Sequence, residues 1–270
     1  MNLLFIGDVV GRSGREAVIG RLPGLRQRLG LDFVVLNGEN AAGGYGITEK
    51  ICGEFYAAGV DVITTGNHVW DQREIISYIG RDARLLRPLN YPPGTPGAGV
   101  GVFEATRGRK VLVAHVMCRL FMIPLDDPFA AVDAALATHR LGGSVAAAVL
   151  DIHGEATSEK MALGHFVDGR VSLAAGSHTH VPTADAQILP GGTAYQTDAG
   201  MCGDYDSVIG NDKKLAIERF VRKLPTARLT PVLGEATLCA VYAETDDKTG
   251  LATRISPVRL GGRLQEVLPG

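Results

Sequence analysis

Five short apolar runs in this chain each stop beside a glycine that is flanked by Asp, Glu, Asn or His. Leu3 to Ile6 is followed by Gly7 and Asp8, Phe33 to Leu36 by Asn37-Gly38-Glu39-Asn40, and Val60 to Thr65 by Gly66-Asn67-His68. Val145 to Leu150 runs into Asp151-Ile152-His153-Gly154-Glu155, and Val171 to Ala175 into Gly176-Ser177-His178-Thr179-His180. Apolar runs of this length, bounded by turn residues, read as buried strands. In α/β folds, sites form in the crevice beyond the carboxyl ends of the strands. One such end carries little information, but five require a fold whose strands deliver polar, metal-ligating side chains to one edge. The glycines themselves read as tight strand-to-helix turns.

The stretches between these runs are amphipathic. Helices are expected at Ser13 to Leu29, interrupted near Pro23, at Thr48 to Ala58 with Thr48 as N-cap, and at Asp71 to Ile79. Others are expected at Asp127 to Arg140, Ser158 to Val167 and Asp212 to Lys223. Three pairs of strand-like segments enclose turn residues: Gly99–Ala105 with Lys110–Ala114, Ala184–Leu189 with Thr193–Thr197, and Thr237–Glu244 with Ala252–Leu260. Such hairpins argue against a purely parallel sheet and for an α/β sandwich with mixed sheets. No repeat or linker divides the 270 residues, so a single domain over 1–270 is expected.

Composition removes several classes. Hydrophobic residues make up 46% and charged residues 21%, which excludes a disordered chain. The net charge of -2 offers no global basic face for stable nucleic-acid binding. A locally basic first helix (Arg12, Arg15, Arg21, Arg26, Arg28) reads as a solvated face. No apolar run reaches the roughly 18 residues of a membrane span, and the N-terminus lacks the pattern of a signal peptide. Cys52, Cys118, Cys202 and Cys239 have no metal-finger spacing and read as reduced, buried thiols of a cytoplasmic protein.

The histidines sharpen the argument. His68, His153, His178 and His180 all stand at the strand ends, whereas His139 and His165 fall in expected helices. His115 follows a strand without a glycine-polar cluster and reads as a core or supporting residue. In an extended segment, residues i and i+2 share a side, which would put His178 and His180 together. Imidazole is a strong ligand for zinc, iron and manganese. With Asp8, Glu39, Asn67 and His153 added, the donors exceed what one ion requires, and two ions sharing a carboxylate is the economical reading.

These motifs resemble the binuclear metallophosphoesterase (calcineurin-like) superfamily. The segments GDVVGRSGR, NGENAAGGYGIT, TTGNHVWD, DIHGEATSEK, AAGSHTHVPTAD and QTDAGMCG resemble its YmdB-like branch, in order over residues 1 to about 210. The resemblance implies a four-layer α/β/β/α sandwich with two mixed β-sheets flanked by helices. It also implies phosphodiesterase activity on small phosphodiesters, with 2′,3′-cyclic nucleotides as substrate class and two iron or manganese ions per chain. One metal would be held by Asp8, Glu39, Asn40 and His180, the other by Glu39, Asn67, His153 and His178, with Glu39 bridging. The sequence departs from the wider superfamily at two places: Val10 stands where a histidine is usual, and Glu39 where the bridging residue is usually Asp. The branch shares both changes, and Asn40 takes the place of the missing ligand. Two divalent ions, two carboxylates and a bridging hydroxide leave a slightly positive site, suited to a phosphodiester anion. His68, next to Asn67, is assigned as general acid to the leaving oxygen.

Two other readings stay open at this level. Gly7, Gly11 and Gly14 are spaced unlike a dinucleotide-binding loop, but a metal-dependent amide hydrolase would use similar ligands. A metal-containing regulatory or interaction protein, with incidental hydrolase activity, would retain them too. Homo-oligomerisation is compatible with the sequence.

Overall fold

The alternation of side chains along each strand sorts three apolar layers. The computed structural model describes residues 1–223 and 227–270. In chain order its elements are β1 (Asn2–Ile6), α1 (Gly11–Leu29), β2 (Phe33–Asn37), α2 (Glu49–Ala58), β3 (Val62–Thr64), α3 (Ile75–Tyr78), β4 (Leu85–Leu86), β5 (Val100–Glu104) and β6 (Lys110–Met117). They continue with α4 (Pro128–Ala137), β7 (Ala147–His153), α5 (Thr157–Phe166), β8 (Leu173–Ser177), β9 (Gln187–Ile188), β10 (Ala194–Gln196), α6 (Lys213–Arg222), β11 (Leu238–Thr245) and β12 (Ala252–Leu260). One six-stranded sheet runs β12-β11-β1-β2-β3-β4 and the other β5-β6-β7-β8-β10-β9. Both are mixed: β1 to β4 run parallel with β11 and β12 antiparallel on one side, and the parallel strands β6, β7, β8 and β10 carry antiparallel β5 and β9 at the two edges.

Odd-numbered residues of β1, β2, β6, β7 and β8 face the layer between the sheets: Leu3, Phe5, Phe33, Val35, Val111, Val113, Ala147, Val149, Leu173 and Ala175. Their neighbours Leu4, Ile6, Val34 and Leu36 pack with Val18, Leu22 and Phe55 of α1 and α2. On the far side, Leu112, Ala148 and Leu150 pack with Val132 of α4 and Leu163 of α5. The result is the expected α/β/β/α sandwich with two mixed sheets. Burying one medium apolar side chain contributes about 1.5–3 kcal/mol, so the period-two pattern strongly resists a one-residue slip.

Several boundaries differ from expectation. The helix from Gly11 runs through Pro23 without a break. Pro23 faces solvent while Val18, Leu22 and Leu25 hold the buried side of the helix on both sides of it. The helix expected at Asp71 to Ile79 shrinks to Ile75–Tyr78, because residues 67–74 form turns and bends. β7 extends to His153 and β8 to Ser177, so Asp151, His153 and Ser177 are strand residues and not loop residues. Thr48 caps its helix as expected, its hydroxyl accepting from the Ile51 amide at 3.3 Å. All four cysteines are buried and free. Among the described residues, no helix is long and apolar enough to cross a membrane.

Candidate metal centre

The strand parity that fills the inter-sheet layer with apolar side chains continues beyond it. Asn37, Thr64, His115, Asp151, His153 and Ser177 stand at the same parity near the carboxyl ends of β2, β3, β6, β7 and β8, and all are buried. The layer therefore changes from apolar to polar along its length, and the loops that follow add Asp8, Glu39 and the two histidines of the 176–180 segment.

Two clusters form there. The ligand atoms of Glu39, His153 and His178 lie within 4.8 Å of one another, and so do those of Asp8, Glu39 and His180. Glu39 is common to both. Its Oε1 is 3.2 Å from His153 Nε2, and its Oε2 accepts from the His68 amide at 3.2 Å. Asn67 Oδ1 lies 3.0 Å from His153 Nε2, and His178 Nδ1 lies 3.2 Å from the same nitrogen. In the other cluster Asn40 Oδ1 lies 3.2 Å from His180 Nε2. The structure thus brings together all seven residues expected as ligands.

It does so by a different backbone from the one expected for His178 and His180. β8 ends at Ser177, and both histidines have left-handed backbone, with φ of 97° and 66°. They consequently enter separate clusters instead of sharing one side of a strand. Such backbone costs about 1–3 kcal/mol per residue and persists where its surroundings hold it. Here the His178 amide donates to both Asp8 carboxylate oxygens, at 3.2 and 3.0 Å. The Thr179 amide and hydroxyl donate to Asp198 Oδ2, at 3.1 and 2.8 Å.

The strand-end glycines also serve a different purpose from turning. Gly7, Gly38, Gly66, Gly154 and Gly176 do not have positive φ. They are needed for space: a Cβ on Gly66 would lie 2.1 Å from Glu39 Oε2 and 2.3 Å from His153 Nε2. At Gly176 a Cβ would lie 1.7 Å from the Thr197 carbonyl oxygen.

Hydrogen bonds behind the clusters set which ring nitrogen faces them. His153 Nδ1 is 2.9 Å from Ser177 Oγ, whose hydroxyl donates to Asp151 Oδ1 at 2.6 Å. His180 Nδ1 is 2.9 Å from the Ile209 carbonyl, to which it donates. Both rings therefore turn Nε2 to the site, the arrangement by which supporting groups orient metal-binding histidines. Asp151 also accepts from Thr64 Oγ1 at 2.6 Å and Asn37 Nδ2 at 3.0 Å. His115 is buried, with Nδ1 3.2 Å from Asp151 Oδ2, so it supports the site from behind. Lys160, wholly buried, donates to Asp198 and to the Ser177 carbonyl, both at 2.7 Å. None of Asn37, Thr64, Ser177, Lys160 and Asp198 was singled out from sequence for this supporting role.

Charge balance inside the clusters shifts the titrating groups strongly. Burial pushes Asp8 up to about 6, against the pull of His180 and His153. Burial opposes ionisation of Glu39 too, but the charge and hydrogen bond of His153 outweigh it and hold the carboxyl well below its usual range. For His153, burial disfavours the charged ring, yet Glu39 and Asp8 raise it to about 9. His178, desolvated and facing His153, falls to about 3. Opposed shifts among adjacent buried groups are a mark of functional sites.

The clusters open into a cleft of about 290 Å³ lined by Val10, Tyr45, His68, Glu155, Asn211 and Leu229, among others. His68 stands at its wall, with Nδ1 2.9 Å from Asp71 Oδ2. Glu155 Oε2 lies 3.3 Å from His178 Nε2. A roomier hollow of about 870 Å³ around Leu136, Arg140 and Lys248 shares no lining residue with this cleft.

Comparison with known proteins shows the family and the fold. The family model described as YmdB-like protein matches residues 4–258. A protein of Bacillus subtilis (strain 168), named 2′,3′-cyclic-nucleotide 2′-phosphodiesterase, is 45% identical over 258 residues, covering 96% of each chain. A solved structure of a hypothetical protein from Thermus thermophilus superposes with a TM-score of 0.90 at 42% identity, covering 97% of this chain and 100% of that one. A structure described as a novel phosphatase of Mycoplasma pneumoniae gives a TM-score of 0.90 at 31% identity, covering 97% and 93%.

Proposed function

This chain belongs to the YmdB-like protein family, and we propose that it hydrolyses 2′,3′-cyclic nucleotides with two metal ions held by Asp8, Glu39, Asn40, Asn67, His153, His178 and His180. It is a phosphoric ester hydrolase, as its relatives named phosphodiesterase and phosphatase are. The observation that carries the two-metal reading is Glu39, a buried carboxylate common to two ligand clusters.

Metal ions fit this donor set. Asp8 and Glu39 are buried, and among the described residues no lysine or arginine forms an ion pair with either. Carboxylate, imidazole and amide oxygen suit iron or manganese. We assign Asp8, Glu39, Asn40 and His180 to one ion and Glu39, Asn67, His153 and His178 to the other. Bound ions would polarise the phosphoryl group and lower the pKa of a water toward neutrality.

The remaining work falls to the protein's own side chains. His68 donates a proton to the departing ribose O2′ as water adds to phosphorus and the P–O2′ bond breaks, giving a 3′-nucleotide. Asp71, on His68 Nδ1, orients the ring for that transfer. The buried free cysteines are consistent with a reducing cytoplasm. Metal analysis of protein purified without chelator, paired with a screen of cyclic phosphodiesters, phosphomonoesters and amides, tests the reading. Turnover of amides alone, or full activity after chelation, would overturn it.

A further inference from the structure

We infer that Arg228, laid over the ring of the cleft-lining Tyr45, is a stacking shelf for the nucleobase and a determinant of preference for nucleotides over base-free phosphodiesters. This rests on the cyclic-nucleotide reading above.

The shelf is built from two parts of the chain. Tyr45 follows the ligands Glu39 and Asn40 on a glycine-rich loop, and its ring meets His68 edge to face, with centroids 5.1 Å apart and planes at 82°. Gln72 Nε2 donates to the Tyr45 carbonyl at 2.7 Å and ties the loop down. Gly44 packs against the 228–231 segment so closely that a Cβ there would lie 2.7 Å from Pro231 Cγ. From that segment the Arg228 guanidinium carbon sits 4.2 Å from the Tyr45 ring centroid, and Leu229 lines the cleft beside it. Arg228 is exposed, and among the described residues no carboxylate pairs with it. A cation on an aromatic face is attracted by the ring quadrupole, which favours one placement of a flexible side chain.

The chemistry says what this shelf would meet. Both ester oxygens of a 2′,3′-cyclic phosphate belong to one ribose. The leaving oxygen takes its proton from His68, so that ribose lies on the His68 side of phosphorus. Tyr45 lines the cleft beside His68, and Arg228 covers the Tyr45 ring next to the cleft-lining Leu229. A base carried by the ribose continues the stack on the outer face of the guanidinium plane, a surface that accepts any base because every base has a π face. A hydrogen-bonding pocket would instead discriminate among bases.

The experiment compares kcat/KM for 2′,3′-cyclic AMP and for methyl riboside 2′,3′-cyclic phosphate, which has no base, in the wild type, Arg228→Ala and Arg228→Lys. The preference for the nucleotide should fall about tenfold in both variants, because lysine keeps the charge and loses the plane. An unchanged preference, or full recovery by lysine, would overturn the shelf. Calorimetry of 3′-AMP and ribose 3-phosphate binding to the metal-loaded proteins gives a second readout that does not need turnover. If the wild type binds 3′-AMP through Arg228 but hydrolyses no cyclic nucleotide, the substrate reading falls and the shelf stands. If cyclic nucleotides are hydrolysed and Arg228 affects neither comparison, the shelf falls and the substrate reading stands.

Discussion

His68 Nδ1 lies 2.9 Å from the Asp71 carboxylate, one turn further along the chain. A carboxylate on one ring nitrogen fixes the tautomer and presents the other nitrogen to the reaction. His68→Ala should lower turnover by roughly 10²–10⁴-fold with both metals retained. Asp71→Asn keeps the shape but not the charge, and should cost about tenfold or more. Both losses should shrink for a nitrophenyl ester, whose leaving oxygen needs little protonation. Equal losses for good and poor leaving groups would argue for positioning instead of proton transfer.

Lys160 and Asp198 form a wholly buried ion pair beneath the His178–His180 segment. Removing one partner leaves the other charge buried and alone, which typically costs about 3–5 kcal/mol. Lys160→Met should therefore lose that much stability in denaturant unfolding, in metal-stripped as well as metal-loaded protein. Because Asp198 also holds Thr179, metal affinity should fall in the same variant. A stability change below about 1 kcal/mol would mean that the pair does not carry the segment.

Much of this centre is written in strand parity. The positions that carry Val111 and Val113 reach His115, and those of Ala147 and Val149 reach Asp151 and His153. The fold layers, and the donor residues that the structure gathers at the strand ends, are thus legible in residues 1–210 through local pattern and resemblance. Ending the Val145 run at Leu150 hid the same rule for Asp151, because polar residues at a strand end look like loop. The left-handed backbone of His178 and His180 depends on Asp8 and Asp198, both remote in sequence, and no local propensity signals it. Arg228 and Lys160 were likewise silent, since their partners are chosen by tertiary packing.

Far from the site, Asp32 ties the two sheets at the opening of β2 and β6. Its carboxylate accepts from the Asn2 amide at 2.8 Å and from the Thr106 hydroxyl, and its Oδ1 lies 2.6 Å from Arg109 Nη2. Burial alone would raise this carboxyl, but Thr106, Asn2 and Arg109 together hold it below its ordinary value. A depressed carboxyl contributes stability that is present above the unfolded value near 3.9 and lost as pH falls through the folded value. Asp32→Asn should cost about 1–2 kcal/mol at pH 7, consistent with hydrogen bonds to a charged group. The difference from wild type should narrow as pH falls below about 4. Urea unfolding of both proteins at pH 7 and pH 3 measures it, and a gap of the same size at both would refute the ionic contribution.

Asn40 is the proposed ligand on which the two metal positions should differ. Its amide nitrogen donates to the Gly44 carbonyl at 3.1 Å, which leaves the oxygen toward His180 Nε2 at 3.2 Å. Val10, buried beside it and bridged to it along the backbone, offers no lone pair. The ion assigned to Asp8, Glu39 and His180 would thus be completed by a neutral amide oxygen, a weaker donor to iron or zinc than imidazole. The other proposed ion would have His153 and His178 together with Glu39 and Asn67. Chelation should therefore remove the ion on the Asp8 side first, and Asn40→Ala should lose it while the ion at His153 stays. Val10→His in the Asn40→Ala background should restore part of the binding, because the residue bridged to position 40 then supplies an imidazole. Metal titration followed by elemental analysis of the three proteins decides the matter. Retention of two ions at unchanged affinity in Asn40→Ala would show that Asn40 is not a ligand and that its contact with His180 only orients the ring.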